Sequence, residues 1–587
     1  MNFFEDEQDW KWLFKNGIDW KTILPLYYQS YPTEEGFEKP EDVISFMEEI
    51  LNSTGAWTGG AVSQRAEKLD QNGAGQVVDG RTIPGPELSA LYKEAAELQV
   101  IGLPIPPEFG GLGIPTTILM FLLAQLSRAC LSQSTQLAFF TSIAEMVHRF
   151  CDHETAQRII PKIIAGELSG SMNLTEPGCG SDLGMIKTTA IKREDGKYLL
   201  NGSKIFITNG GGGVGFVLAR IKGAAEGLAG ISMFLCEQDI PEKDGPNYIV
   251  AKNEHKMGMH GSFTTEVVYE NSVASLVGVE GEGFKYMLHL MNEARIAVGF
   301  QALGTIEGAI SYAVKYANER QQFGKPIAEL PLMKRNLEDF TTERDALRAL
   351  LTDTVSHFDI FQKLDLKKKK TNDLSKEEQV LFKEASLWVR KRTPLVKYYA
   401  CEAATNLSQR AIQVLGGYGF MHEYPVERFH RDSFGPLLYE GTSQIQALMA
   451  LKDIIKYAMK DPKRFFSNVF IKHPGINLLG GNSAYEKKLK NSQYRFKKKM
   501  IGLIIKTLKP ETSNNLFNAK AWATEENIDK LMIHAETLCQ GLSYLETLRV
   551  LSEHAQKDSS RSELFNRYYT LITPRLEAIY TDWEVRT

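Results

Sequence analysis

Apolar side chains recur every three or four positions through most of the chain. The longest such stripe, Ile296, Phe300, Leu303, Ile306, Ile310 and Val314, predicts a long helix beginning near Gly281. Helical spacing also marks residues 42–51, 86–98, 116–128 and 154–164, the last closed by Gly166, so residues 1–170 read as a helical domain. At about residue 171 the period changes to two. Residues 215–221, 230–236 and 264–269 read as strands, and Asn201-Gly202 between two apolar runs predicts a type I′ hairpin, because both residues tolerate positive φ. Residues 171–278 are therefore expected to form a small β domain, a barrel or a sandwich. Helical spacing returns over 279–458, a region expected to be a four-helix bundle. Within it, residues 352–379, which include Lys367-Lys368-Lys369-Lys370, interrupt the pattern and predict an exposed excursion between two antiparallel helices. Residues 452–482, with Pro462, Pro474 and Gly480-Gly481, mark a boundary, and 459–587 reads as an additional helical domain with amphipathic stretches at 501–508 and 531–551. The expected fold is mainly α with a central β-barrel.

Composition narrows the function classes. With 587 residues, 43% of them hydrophobic, the chain is long enough for several packed domains. A formal net charge of -4 argues against a general nucleic-acid binder. The six cysteines are scattered with no C-x-x-C pair, which predicts neither a metal site nor a disulfide framework and points to a reducing compartment, the cytoplasm. The acidic start, Met1 to Glu7, does not read as a signal or transit peptide, and no uninterrupted apolar run of about 18 residues predicts a membrane span.

Candidate chemistry gathers in a few segments. In Leu437-Leu438-Tyr439-Glu440-Gly441-Thr442, apolar neighbours would desolvate the Glu440 carboxylate and make it a better proton acceptor. Taken alone, Glu440 reads better as a loop glutamate before a helix capped by Thr442 or Ser443. Residues 171–182, Ser-Met-Asn-Leu-Thr-Glu-Pro-Gly-Cys-Gly-Ser-Asp, place backbone N–H groups and small hydroxyls in one turn able to hold an anion. Gly210, Gly212 and Gly215 fit G-x-G-x-x-G, but a strand rather than a helix follows, so no dinucleotide fingerprint is assigned. His260, in Met257-Gly258-Met259-His260-Gly261, reads as structural.

These segments together resemble the acyl-CoA dehydrogenase family over about residues 85–455. The resemblance is carried by the Pro-x-x-Phe-Gly-Gly-x-Gly turn at 106–113, Thr175-Glu176-Pro177-Gly178-Cys179-Gly180-Ser181-Asp182 and Lys204-Ile205-Phe206-Ile207-Thr208. It continues in Arg320-Gln321-Gln322-Phe323-Gly324, Gln413-Val414-Leu415-Gly416-Gly417 and Tyr439-Glu440-Gly441-Thr442. It implies a helix–sheet–helix fold, an FAD cofactor and Glu440 as the base that removes the α-proton of an acyl-CoA. Thr175 would bond the pyrimidine end of the flavin, Phe206 would cover the ring where the family usually has Trp, and Thr208 would bond N5. Ser181 would reach the cofactor phosphates or CoA, and Arg320 the FAD pyrophosphate across a subunit interface. Met172, Leu174, Gly180, Ile207, Gln322, Phe323, Gln413, Gly416, Gly417, Thr442 and Gln444 are implied as further cofactor contacts. Met291, Asn292, Arg295, Tyr439 and Gly441 are implied, with Ser181, as substrate contacts.

The resemblance thus implies oxidation of an acyl-CoA to the trans-2-enoyl-CoA, as in fatty-acid β-oxidation. An electron-transfer flavoprotein would be the acceptor and the assembly a homodimer. The length and C-terminal extension resemble the longer bacterial subgroup that includes 3-methylthiopropionyl-CoA dehydrogenase-like proteins. An acyl-CoA oxidase and a flavin-containing DNA-associated protein of the same fold remain as alternative readings.

Overall fold

The structure, a computed structural model, describes residues 1–460, 483–508 and 524–586. The N-terminal region comprises α1 (Gln8–Asn16), α2 (Trp20–Tyr27), α3 (Pro40–Trp57), α4 (Ser63–Asn72), α5 (Pro86–Glu97), α6 (Thr116–Ala129), α7 (Leu131–Phe150) and α8 (His153–Ile164). Proline occupies the first turn of α3 and α5, where its missing N–H is harmless, and Asp152 caps α8 by accepting from Thr155 N at 2.8 Å. Every residue of α6 is buried, which fits its apolar composition on all sides. The region is not wholly helical: β1 (Gly75–Val78) and β2 (Arg81–Pro84) form a hairpin through Asp79-Gly80, both at positive φ.

The barrel contains β3 (Ser169–Asn173), β4 (Thr189–Lys192), β5 (Tyr198–Thr208), β6 (Gly213–Ile221), β7 (Ile231–Glu237), β8 (Ile249–Asn253) and β9 (Thr264–Val277). Strand order β3-β6-β4-β5-β9-β7, with β6 also pairing β7, closes the sheet on itself as a barrel, where the alternating pattern allowed a barrel or a sandwich. The strand β6 that follows the glycine run confirms that this run opens no helix. The Asn201-Gly202 hairpin does not exist. β5 runs straight through, with a register shift against β9 between Leu200 and Gly202, and the reversal lies earlier, where Arg193 N donates to Lys197 O at 2.8 Å. Asn201 instead joins Asn271 on β9, its side-chain oxygen accepting from Asn271 N at 2.9 Å. Residues permissive for a turn serve equally in a bulge.

The bundle consists of α9 (Gly283–Glu319), α10 (Pro331–Thr371), α11 (Lys376–Leu415), α12 (Val426–Leu438) and α13 (Ser443–Lys460). The expected excursion at 352–379 is corrected here. α10 continues through the lysine run to Thr371, and a short turn leads to Ser375, which caps α11 reciprocally with Glu378. Lysines in the last turn oppose the helix dipole favourably, so a charge run that reads as loop is a helix end. The boundary expected at 452–482 falls largely outside the described residues; up to Lys460 the chain is helix.

Helices Ala535–Lys557 and Ser562–Val585 pack on the bundle, the first against α10, α11 and α13 and the second against α10, while Ala484–Leu508 packs on these two and on Glu525–Met532. Arg549 Nη2 donates to Asp353 at 2.7 Å, Arg575 grips Glu343 at 2.7 and 3.0 Å, and Ser543 Oγ donates to Leu395 O at 3.2 Å. The extension also meets the N-terminus, where Trp12 Nε1 donates to Asp558 at 2.6 Å. Buried Arg348 of α10 donates to Glu307 of α9 at 2.6 Å and to Glu7 at 3.2 Å, tying the first residues into the bundle. No helix among the described residues is long and apolar enough to cross a membrane.

Candidate active site

Glu440 leaves the end of α12 at φ 57, and Gly441 follows at φ 89. Thr442 Oγ1 then accepts from Ile445 N at 3.4 Å and starts α13, as the capping reading expected. The two consecutive left-handed residues throw the Glu440 side chain out of helical register. Three donors pin the turn through its carbonyls. Arg295 Nε and Gln446 Nε2 both donate to Glu440 O, at 3.2 and 3.1 Å, and Gln446 also reaches Gly441 O at 3.1 Å. Lys397 Nζ donates to Gly441 O at 2.8 Å and Leu437 O at 3.3 Å. Burial drives the Glu440 carboxyl above its usual pKa, and the charges of Arg295 and Lys397 offset only part of that rise. Yet Glu440 keeps some surface, so a group hemmed in on all sides but still accessible lies in a recess.

On the barrel side, β5 carries a second bulge. Its pairing with β9 slips between Lys204 and Ile207, Phe206 adopts φ 58, and the Phe206 ring stands 61% exposed. A left-handed phenylalanine costs about 1–3 kcal/mol, and leaving its ring in water forgoes burial. Ile205 N donates to Thr175 O at 3.0 Å, which sets the 175–188 loop beside the bulge. That loop is closed from below by Glu176, whose carboxylate accepts from Lys187 N at 2.6 Å, Thr188 N at 3.0 Å and buried Lys204 Nζ at 2.8 Å.

Helix α7 joins the two halves. Gln136 Oε1 accepts from Phe263 N at 3.0 Å while its amide donates to Asn209, the residue after Thr208. Two positions earlier, Ser134 lies 3.5 Å from Gln301, which in turn accepts from Tyr439 OH at 3.1 Å. Thr208 and Glu440 are thus hung from one helix. Among the described residues, positive φ outside glycine, asparagine and aspartate occurs at Gln99, Phe206, Met259, Phe323 and Glu440. Four of these five fall in the motifs singled out from the sequence, the distribution expected of strain held for function.

A second cluster lies apart. Arg295 and Arg320 are separated by seven turns of α9, roughly 37 Å at 1.5 Å per residue. The Arg320 guanidinium sits 5.9 Å from the Tyr418 ring centre, which draws Arg320, Gln322 and Phe323 toward Gln413, Gly416 and Gly417. All six of these are exposed, Phe323 at 88%, and neighbouring Phe420 is 81% exposed.

The sequence matches the descriptions "Acyl-CoA dehydrogenase, N-terminal domain" over residues 60–167, "middle domain" over 171–272 and "C-terminal domain" over 281–455. It is 36% identical to an acyl-CoA dehydrogenase of Bacillus subtilis (strain 168) over 369 residues, which is 62% of this chain and 89% of that protein. The chain belongs to the acyl-CoA dehydrogenase family. Butyryl-CoA dehydrogenase from Megasphaera elsdenii superposes with a TM-score of 0.59 at 26% identity, over 70% of this dehydrogenase and 98% of that chain. An acyl-CoA dehydrogenase from Bacillus anthracis, solved with FAD, has a TM-score of 0.75 at 24% identity, over 93% of this chain and 89% of that one. The shared fold therefore extends into the helices beyond residue 483.

The expected site residues of this dehydrogenase lie in different surroundings. Arg295 is buried and spends its donors on Glu440 O and, at 3.2 Å, on Asn292 Oδ1. Ile207 and Met172 are packed in the core, whereas Leu174 and Thr175 are half-buried, and Gly180, Ser181 and Gln444 are exposed. Met291 is half-buried, as are Tyr439, Gly441 and Thr442 on either side of Glu440. His260 is structural, as read, its ring between Asp70 O at 3.2 Å and Lys256 O at 3.0 Å. Sequence reading missed Lys397, Gln446, Gln136 and the Glu176–Lys204 pair. Only Lys397 left a signal, a lysine inside the apolar stretch 395–400.

Proposed function

We propose that this chain oxidises an acyl-CoA at its α,β-carbons, with Glu440 removing the α-proton, FAD held between the barrel and the bundle, and electrons passed on to an electron-transfer flavoprotein. The observation that carries the reading is the strained pair Phe206 and Glu440, one an exposed ring, the other a desolvated carboxylate, joined through α7. The exposed Phe206 ring fits a planar isoalloxazine, Thr208 at the end of β5 and Thr175 in the loop bonded to β5 through Ile205 N would flank it, and the open Gly180-Ser181 loop suits its phosphates. Bound there, the flavin supplies a hydride acceptor at N5. Glu440 works as a base because burial raises its proton affinity, while the recess keeps it reachable by substrate and poor in water. Hydrogen bonds to the thioester carbonyl would stabilise the negative charge that develops as the proton leaves.

The test is Glu440→Gln, which keeps shape and removes the base. Loss of a general base typically costs about 10²- to 10⁴-fold, so flavin bleaching by a panel of acyl-CoAs should slow by at least that much with FAD content unchanged. Near-normal bleaching would move the base elsewhere. Steady peroxide formation by the wild type with acyl-CoA would replace the dehydrogenase reading by an oxidase.

A further inference from the structure

We propose that Lys397 is the positioning residue for Glu440, holding its left-handed turn and supplying the buried positive charge against which the carboxylate stays ionised. The inference rests on Glu440 being the base. Lys397 lies in the middle of α11 and is fully buried, and its ammonium donates to the carbonyls of Leu437 and Gly441, on either side of Glu440. Leu437 O belongs to the last turn of α12, which has no intrahelical partners left, so a cation there satisfies it and opposes the helix dipole.

A neutral side chain would serve those two carbonyls at lower cost, since a buried charge is expensive unless an opposite charge compensates it. Among the described residues, no carboxylate lies within ion-pair distance of Lys397 or of Arg295. Two buried cations, one from α9 and one from α11, therefore converge on a turn whose single acid is Glu440. The other titratable groups facing this turn are Cys401 and Glu402 of α11 and Tyr439 beside Glu440, with Asp432 of α12 beyond Tyr439. Burial pulls the Lys397 ammonium below its usual pKa, and the Cys401 and Glu440 sides pull it back, as expected for charges that stabilise each other.

The experiment is an infrared titration of the Glu440 carboxyl in the FAD-replete protein, read as the difference from a partner protein carrying Glu440→Gln. Alongside it, flavin reduction is measured against pH with whichever of butyryl-, octanoyl- and palmitoyl-CoA bleaches the wild type. Lys397→Gln keeps a donor for Gly441 O but removes the charge, and Lys397→Arg keeps the charge. With Lys397→Gln the Glu440 midpoint should rise by about one pH unit, and the rate should fall about tenfold more on the acid side than at alkaline pH. With Lys397→Arg the midpoint should stay near the wild-type value, whatever happens to the maximal rate. An unmoved midpoint in Lys397→Gln, a rate loss equal at every pH, or a midpoint displaced as far by arginine as by glutamine would each overturn the inference. If Glu440→Gln alone abolishes bleaching while the Lys397 variants leave the midpoint unmoved, only this inference falls. If Glu440→Gln bleaches normally, the assignment of the base falls with it.

Discussion

Lys204 and Glu176 form an ion pair of 2.8 Å in the interior of the barrel, with Lys204 fully buried and Glu176 nearly so. Burial draws the Lys204 ammonium down to about 8 against the pull of Glu176, so it remains charged at neutral pH. Burial would raise Glu176, but the Lys204 charge, with hydrogen bonds from Lys204, Thr188 and Lys187 N, outweighs that and holds the carboxyl below its usual range. The pair ties the loop carrying Thr175, Gly180 and Ser181 to the strand carrying Phe206 and Thr208. Removing one partner of such a pair leaves a buried charge uncompensated, at about 3–5 kcal/mol. Lys204→Met should therefore lower the apparent unfolding temperature and release FAD before other domains unfold. Calorimetry with simultaneous flavin fluorescence reads both, and FAD release coincident with global unfolding would deny the pair its local role.

The sequence made the strained turns legible because strain is carried by short contiguous motifs, as at Glu440-Gly441 and Lys204–Thr208. It also made the strands and the long helices legible, because periodicity is local. What it could not show were partners distant in the chain. Nothing near Arg295 announces that its guanidinium turns to Glu440 O, and nothing near Glu176 announces Lys204. The two misread local signals, Asn201-Gly202 and Lys367–Lys370, share a cause: turn formers and charge runs are compatible with a bulge or a helix end, and tertiary packing decides between them.

A pH effect follows from Asp432, which is 2% exposed and accepts from Met259 N at 2.6 Å. Burial raises its pKa to about 6, against the opposing charge of Arg428 and the Met259 hydrogen bond. A carboxyl that binds its proton more tightly in the folded state stabilises that state at low pH. That stabilisation is whole below about pH 4 and is lost as pH rises through about 6, some 2–3 kcal/mol in all. Asp432→Asn should lack this dependence. The difference in apparent melting temperature, wild type minus variant, should fall between pH 4 and pH 7; parallel profiles would remove Asp432 as the cause.

The extension is held by a few definable contacts. Glu343 on α10 accepts two hydrogen bonds from Arg575 and one, at 3.0 Å, from Tyr399 OH. Glu343→Ala leaves the buried Tyr399 hydroxyl without an acceptor, its contact with Tyr568 OH at 3.3 Å remaining, and Arg575 without its counter-charge, though the partial exposure of Arg575 lets water soften the loss. A cost of about 2–3 kcal/mol is expected, appearing as faster limited proteolysis within residues 484–586. FAD content and bleaching rate should change little, because neither Glu343 nor Arg575 contacts the Glu440 turn. Proteolysis first elsewhere would place the weak point outside this junction.

The last prediction concerns assembly. A cofactor whose ring lies on Phe206 beside Glu440 reaches Arg320 of its own chain only by spanning the roughly 37 Å that separate Arg295 from Arg320 along α9. A second copy could instead bring its Arg320, Gln322 and Gln413 to that cofactor. The exposed Phe323 and Phe420 rings beside Arg320 form an apolar surface of the kind an obligate partner covers. Helices Ala535–Lys557 and Ser562–Val585 already occupy faces of α10 and α11 through Asp353, Glu343 and Leu395, leaving those faces closed to further bundles. The expected particle is a homodimer by light scattering, and Arg320→Glu should weaken FAD binding without altering the barrel. A stable FAD-replete monomer would contradict the shared site. A tetramer would spare that site but show that the extension leaves a bundle face free.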